Sequence, residues 1–258
     1  MKKILLDIGG TFIKCSDGRE IPVNSNGTKE EIKASFREAV AGYDCVRAAV
    51  PGPFNYETGL FLMKHKFAAV YGEYFRDIVG VEDCKFIHDV NCMLWGEMVA
   101  GKAKDYDRVA LLALGTGLGF SIGINGKILE DKFGSPEVSA YNRPYGDGIL
   151  EDYISKRGVY RFYGDDSISV KEIGQKAAAG DARAKDAFAQ MGAVIGAQLA
   201  PIMKEYDIEC LLLGGQISHN FRFFAPAIEE GFSKAGLKTA ITTISDFDNA
   251  TFNGLKAL

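Results

Sequence analysis

Ile4-Leu5-Leu6-Asp7-Ile8-Gly9-Gly10-Thr11-Phe12-Ile13-Lys14 governs what can be read from the rest of the chain. Apolar residues run into Asp7, two glycines interrupt them, and Phe12-Ile13 resume the pattern. The stretch therefore predicts a β-hairpin with a tight glycine turn. Glycine accepts backbone angles and close approaches that a Cβ forbids. Consecutive N–H groups in such a turn form a concave anion site suited to phosphate oxygens. Asp7, at the strand end, is placed to hold Mg2+ through water, because that ion keeps most of its hydration shell. A plain Gly-Gly hairpin beside an acid has the same pattern, since short glycine motifs recur without function.

The 258 residues suffice for one large or two modest domains with ample core. A hydrophobic fraction of 47% and a charged fraction of 25% are those of a soluble globular protein. The net charge of −4 argues against a general nucleic-acid binder. Five cysteines (Cys15, Cys45, Cys84, Cys92, Cys210) are scattered, odd in number and without a C-x-x-C pair. That disfavours a disulfide framework or a structural zinc site and predicts buried, reduced thiols. No apolar run approaches ~18 residues, and the N-terminal run is too short and acidic for a signal peptide. The expectation is a cytoplasmic chain with no membrane partner.

Further along, Thr28 and Glu31 form a capping box that starts a helix reaching about Ala41. Asp44 to Val50 reads as a strand stopped by Pro51-Gly52-Pro53. Phe61 to Tyr74 is ambiguous, with apolar and aromatic residues interleaved with Lys64, His65 and Lys66. Cys84 to Ile87 predicts a strand ending at His88-Asp89, before a helix from Asn91 to about Lys102. The charged connector Gly101 to Asp107 is the best domain boundary. Arg108 to Leu114 and Phe120 to Ile124 read as strands around a second glycine turn, and Asn125-Gly126 as a hairpin turn. Loop is expected from Phe133 to Gly148, a short helix near Ile149 to Lys156, and helices over Val170–Ala179 and Asp181–Tyr206. A strand over Glu209–Leu213, a helix, a strand near Thr239 to Thr243 and a terminal helix close the chain. Hairpin and glycine turn thus occur at 4–14 and again at 109–124, which hints at two related halves.

Three glycine turns each follow an apolar strand: Asp7-Ile8-Gly9-Gly10-Thr11, Leu114-Gly115-Thr116-Gly117 and Leu213-Gly214-Gly215. Strand ends are where α/β proteins place ligands. Two turns bearing threonine suit a polyphosphate, and the third lets backbone lie close to a flat group such as adenine. None fits the P-loop or the dinucleotide fingerprint.

On these residues the chain resembles the ROK family (repressors, open reading frames and sugar kinases) of the actin-like ATPase superfamily. Asp7 to Thr11 with Lys14 is similar to the family's first phosphate motif, Leu114 to Gly119 to its second, and Leu213 to Ser218 to its adenosine motif. Val50-Pro51-Gly52-Pro53 resembles the turn beside the sugar, and His88-Asp89-Val90-Asn91 the motif whose aspartate is the catalytic base. The resemblance implies an α/β fold of two actin-like (ribonuclease H-like) domains with a nucleotide and substrate cleft between them. The first would span 1–104, with the terminal helix at about 246–258 packing back on it, and the second 105–245. Domain closure over the cleft would exclude water.

The implied function is ATP-dependent phosphorylation of a hydroxyl on a sugar or amino sugar, glucokinase-like, with Mg2+ held by Asp7 and Asp89 as general base. Gly9, Gly10, Thr11, Lys14, Gly115, Thr116, Gly117, Gly214 and Gly215 would bind ATP and its phosphates; Gly52, His88, Glu137 and Glu151 would bind the acceptor. Asp89 alone also reads as a helix N-cap, and Glu151 as an exposed acid in a first helical turn. Three departures concern the acceptor: His88 replaces the family's asparagine, Ala140 its sugar-contacting histidine, and residues 141–150 lack its cysteine-rich zinc loop. Zinc is therefore not expected. Lys64, His65 and Lys66 read either as a solvated face or as cleft residues favouring an anionic or amino-substituted acceptor. Two rivals remain. One is a short actin-like pantothenate kinase, although Gly10 stands where those enzymes have asparagine. The other is a catalytically degenerate, binding-only sugar sensor. With Met1 read as opening the first strand, no DNA-binding helix-turn-helix precedes it and nucleic acid is not an expected partner. The resemblance is compatible with a homodimer.

Overall fold

The computed structural model describes residues 2–258, so Met1 and its reading as the start of the first strand lie outside the described residues. Two compact units divide the chain. Unit 1 comprises the chain up to Ala100 together with Ile128–Glu137 and Asp248–Leu258. Unit 2 comprises Gly101–Lys127 and Val138–Phe247.

Unit 1 opens with the hairpin β1 (Lys3–Ile8) and β2 (Phe12–Cys15), then β3 (Glu20–Pro22), α1 (Lys29–Val40) and β4 (Cys45–Val50). A two-residue hairpin, β5 (Phe54–Asn55) and β6 (Leu60–Phe61), precedes α2 (Phe75–Val79), β7 (Asp83–His88) and α3 (Asp89–Ala100). The sheet order is β3-β2-β1-β4-β7, with β2 antiparallel to β1 and with β4 and β7 parallel to it. Alternation along β1 sorts the core: Ile4, Leu6 and Ile8 join the cluster with Ile32 and Phe36 of α1, whereas Leu5 faces Cys92 and Leu255. The capping box starts α1 as its pattern predicts: Thr28 Oγ1 accepts from Glu31 N–H, and Glu31 Oε2 accepts from Thr28 N–H. The ambiguous stretch after Phe61 is mostly loop with one 3₁₀ turn at Ala68–Val70. Its Phe67 and neighbouring Phe61 and Phe75 surround Phe36, with ring centroids 5.3–5.6 Å from it.

Unit 2 repeats the plan. It runs β8 (Arg108–Leu114), β9 (Leu118–Ile124), β10 (Lys127–Ile128), the small hairpin β11 (Pro144–Tyr145) and β12 (Gly148–Ile149), α4 (Lys156–Tyr163), α5 (Val170–Ala178) and α6 (Ala182–Glu205). Then come β13 (Cys210–Gly214), α7 (Phe221–Lys234) and β14 (Ala240–Thr243). The sheet order, β10-β9-β8-β13-β14, follows that of unit 1, with β9 antiparallel to β8 and with β13 and β14 parallel to it. Asn125 and Gly126 take φ of +50° and +74°, as the hairpin signal requires. The helix expected at 149–156 lies further on. Gly148 and Ile149 are spent in a strand, Leu150–Asp152 make one 3₁₀ turn, and Ser155 Oγ accepts from Arg157 N–H to cap α4. The chain between β13 and α7 likewise starts as a 3₁₀ turn, Gln216–Asn220.

Two later segments belong to unit 1. Ile128–Glu137 does so although the sequence pattern treats 105–245 as one run; Phe133 O accepts from Tyr56 N–H at 2.8 Å, and Glu130 accepts from Asn91. The last helix, α8 (Ala250–Lys256), packs on α3. That contact demands glycine, because a Cβ on Gly254 would fall 1.9 Å from Cys92 O. All five cysteines are buried thiols. Among the described residues no helix is long and apolar enough to cross a membrane.

Candidate active site

In unit 1 the parallel strands β1, β4 and β7 end along one edge of the sheet, where Asp7 is opposite Ala49 and Val50 opposite His88. At the β1 end, Gly9 N–H donates to Phe12 O at 2.9 Å and closes the bend. Asp7 is opposite Lys14 in the hairpin, while Thr11 and Lys14 are exposed. Burial first, and the Asp89 charge second, push the Asp7 carboxyl up to about 6 against the pull of Lys14. Asp89 opens α3. Its Oδ1 accepts from Val90 N–H at 2.7 Å and lies 2.9 Å from His88 Nδ1. Burial raises the Asp89 pKa, but the His88 charge and hydrogen bond, the Val90 N–H and the Lys66 ammonium outweigh it. Asp89 therefore sits below the usual carboxylate range, and 43% of its side chain is open to solvent. A carboxylate that is ionised yet reachable can accept a proton from a bound hydroxyl.

Gly52 lies against His88 and Tyr56. A Cβ there would touch His88 Cδ2, His88 Nε2 and Tyr56 Oη, each at 3.4 Å. Tyr56 donates to Val50 O at 2.9 Å, and its ring is 5.7 Å from that of His88. Asn91, fully buried, donates to Glu130 Oε1 at 3.1 Å and Gly134 O at 3.3 Å. Burial raises the Glu130 pKa. Glu137 is exposed, its N–H donating to Leu129 O at 3.1 Å. Tyr56, Asn91 and Glu130 are additions to the sequence-derived set. Asn91 stands inside the His-Asp-Val-Asn motif, which was its signal; Glu130 lies 39 residues away with no local signal.

Unit 2 holds a cavity of about 860 Å3 lined by Gly115, Thr116, Lys156, Gln175, Gln216 and Asn220, among others. That is ample for a nucleotide-sized ligand. Gly115 N–H donates to Gly117 O at 3.0 Å, and Gly115 O accepts from Lys156 N–H at 2.9 Å, so the bend is pinned to α4. Gly117 faces away, against Glu151. The two Glu151 oxygens accept from Leu118 N–H at 2.8 Å and Arg157 Nη2 at 2.7 Å. Glu151 thus sits with the glycine bend of unit 2, whereas Gly52, His88 and Glu137 belong to unit 1. At the β13 end, Gly215 must be glycine: its φ is +78°, and a Cβ would meet Leu114 O at 2.3 Å. Gly214 O accepts from Ser218 Oγ at 2.7 Å. Gly214 and Gly215 shape the turn that delivers Gln216 and Ile217 to the cavity.

Among the described residues no group of three or more His, Cys, Asp or Glu could cage a metal. A single carboxylate such as Asp7 is compatible with Mg2+, which keeps water and takes substrate phosphates. The carboxyl raised to about 6 beside a second acid is one a cation would relieve. Residues 141–150 offer no cysteine or histidine and do not fit zinc. Their hairpin is held instead by Asp147, which accepts from Tyr153 OH and, at 2.7 and 2.8 Å, from Arg161 Nη2.

The ROK family model matches residues 74–138 and 144–254. A glucokinase of Streptomyces coelicolor is 29% identical over 160 residues, covering 51% of this chain and 50% of the relative, so the chain spans half the length of that relative. An N-acetyl-D-glucosamine kinase of Mannheimia succiniciproducens is 25% identical over 221 residues, 76% of this chain and 72% of the other. The crystal structure of a ROK family glucokinase from Streptomyces griseus in complex with glucose and AMPPNP superposes with a TM-score of 0.77 at 24% identity, covering 98% and 97% of the two chains. That is a likeness of fold.

Proposed function

The chain belongs to the ROK family, and on that premise we propose that it is an ATP-dependent phosphotransferase acting on a hydroxyl of a sugar or amino sugar. One observation carries the reading: Asp89, at a strand end and open to a ligand, is kept ionised by His88, the Val90 N–H and Lys66. The acceptor oxygen bonds to the γ-phosphorus as the bond to the β–γ bridging oxygen breaks. Asp89 takes the hydroxyl proton and ADP leaves. Mg2+, held through Asp7, would neutralise charge on the phosphates.

The remaining roles follow the two units. Gly52, His88 and Glu137, with Tyr56 behind them, hold the acceptor; His88 also keeps Asp89 charged. Gly9, Gly10, Thr11 and Lys14 serve the phosphates, as do Gly115 and Thr116. Gly214 and Gly215 set the turn beside the nucleoside. Glu151 first holds the Gly117–Leu118 bend, and only its remaining lone pairs are left for an acceptor. The glucokinase and N-acetyl-D-glucosamine kinase relatives support a hexose or N-acetylhexosamine acceptor, and the AMPPNP complex supports ATP. The buried thiols suit a reducing cytoplasm.

The test is an ADP-release screen with Mg·ATP over hexoses, N-acetylhexosamines and pantothenate. Turnover is expected with a hexose or hexosamine and with no pantothenate. The engagement of both Glu151 oxygens favours one second reading, a binding-only sensor. Calorimetric sugar binding without ADP release would establish it and overturn the kinase.

A further inference from the structure

Beyond the charge that Lys66 exerts on Asp89, the proposed reaction gives the exposed run Lys64-His65-Lys66 of unit 1 no task. The next residue, Phe67, is fully buried at φ +52°, a backbone state costly for an aromatic residue. Packing against Phe36 and Phe61, at centroid distances of 5.6 and 6.0 Å, holds it there. Phe67 N–H donates to Ser25 O at 2.6 Å, and Ser25 N–H donates to Gly10 O at 3.1 Å. This two-bond bridge fixes the backbone of residue 66 beside the Gly9–Gly10 bend. The Lys66 stem lies across that bend: a Cβ on Gly10 would be 3.8 Å from Lys66 Cδ and 3.9 Å from Cε. Its charge also acts on Asp89. Lys64 differs, since its ammonium sits over the Tyr71 ring at 5.3 Å. Among the described residues the Lys66 ammonium enters no ion pair.

We propose that Lys66 is a catalytic residue that grips the phosphoryl group in transit. This rests on the kinase reading for its chemistry. Phosphoryl transfer spreads negative charge over three equatorial oxygens, and a cation carried on a fixed backbone beside the phosphate bend and the general base meets that charge as it develops. The acceptor oxygen gains its bond to phosphorus, ADP departs with the electrons of the broken bond, and the hydroxyl proton goes to Asp89. Lys66 keeps its own protons throughout. A rigid aromatic anchor under a flexible lysine stem supplies the preorganisation that such a contact needs.

Calorimetry of Mg·AMPPNP and Mg·ADP with the wild type, Lys66→Met, Lys66→Arg and Lys64→Met decides the matter. Lys66→Met should weaken AMPPNP by about 10- to 100-fold, the worth of one charged hydrogen bond, with ADP affinity nearly unchanged. Lys66→Arg should retain most of the preference for AMPPNP, and Lys64→Met all of it. In the ADP-release assay, Lys66→Met should lower kcat with little change in sugar KM. An equal AMPPNP-to-ADP ratio in wild type and Lys66→Met, or an equal loss of both ligands, would overturn the proposal. A wild type that phosphorylates no sugar would sink the kinase reading instead, while the affinity ratio would still judge Lys66.

Discussion

Units 1 and 2 share one sheet plan, yet their strand ends carry different chemistry. One position before the end of the first strand stands Asp7 in unit 1 and Ala113 in unit 2. The second parallel strand runs into Pro51-Gly52-Pro53 in one and Gly214-Gly215 in the other. The third ends at His88-Asp89 in unit 1 but at Thr243 in unit 2. Unit 1 thus collects interacting charges (Asp7, Asp89, His88, Lys66), whereas unit 2 offers backbone bends around a cavity of about 860 Å3. The same scaffold can gather charged side chains or bare backbone bends at its strand ends, because strand-end residues contribute little to the sheet and are free to vary.

The sharpest way to break this contrast is Asp89→Asn. It should cut kcat by about 10²–10⁴-fold, with nucleotide affinity nearly intact, as measured by ADP release and calorimetry. Wild-type turnover would refute the assignment of Asp89 as the general base. Asp7→Asn tests the charge load through stability. Because the folded Asp7 carboxyl is raised from 3.8 to about 6, the folded state binds the extra proton between those values. Its contribution is fully present below 3.8 and is lost as pH rises through about 6. In metal-free protein the variant should therefore be more stable than wild type above pH 7, by roughly 3 kcal/mol before solvent screening, and equal to it near pH 3.5. Denaturant melts across pH check this, and a difference independent of pH would refute the assignment.

Unit 2 should respond to backbone rather than charge. Gly215→Ala places a Cβ 2.3 Å from Leu114 O at a positive φ, and should cost at least about 2 kcal/mol while weakening ATP binding. Retention of both stability and affinity would remove the case for a shape-built half. The smallest effect belongs to Tyr153→Phe, which deletes the two hydrogen bonds between the Tyr153 hydroxyl and Asp147, one donated to Oδ1 and one accepted from N–H. A fall in melting temperature of about 1–3 °C is expected, and a zinc chelator should leave the wild-type melt unmoved.

Much of this was open to reading in one dimension because its causes are local. The opening hairpin, the Thr28–Glu31 cap and β8 depend on alternation, glycine and short-range hydrogen bonds, all written within a few residues. The positions of Asp89 after β7 and of the glycine bends after their strands were readable for the same reason. The start of α4 escaped because Ser155 caps it without the glutamate that marks a capping box.

Alternation, turn chemistry and caps in the chain itself determined two α/β halves and the strand ends that carry the acids. Only the tertiary structure decided that Glu130 returns to Asn91, that Glu151 is held by Leu118 and Arg157, and that Lys66 crosses the Gly10 bend. Those contacts join distant segments through burial and close packing, which respond to the space around a residue and not to its sequence neighbours.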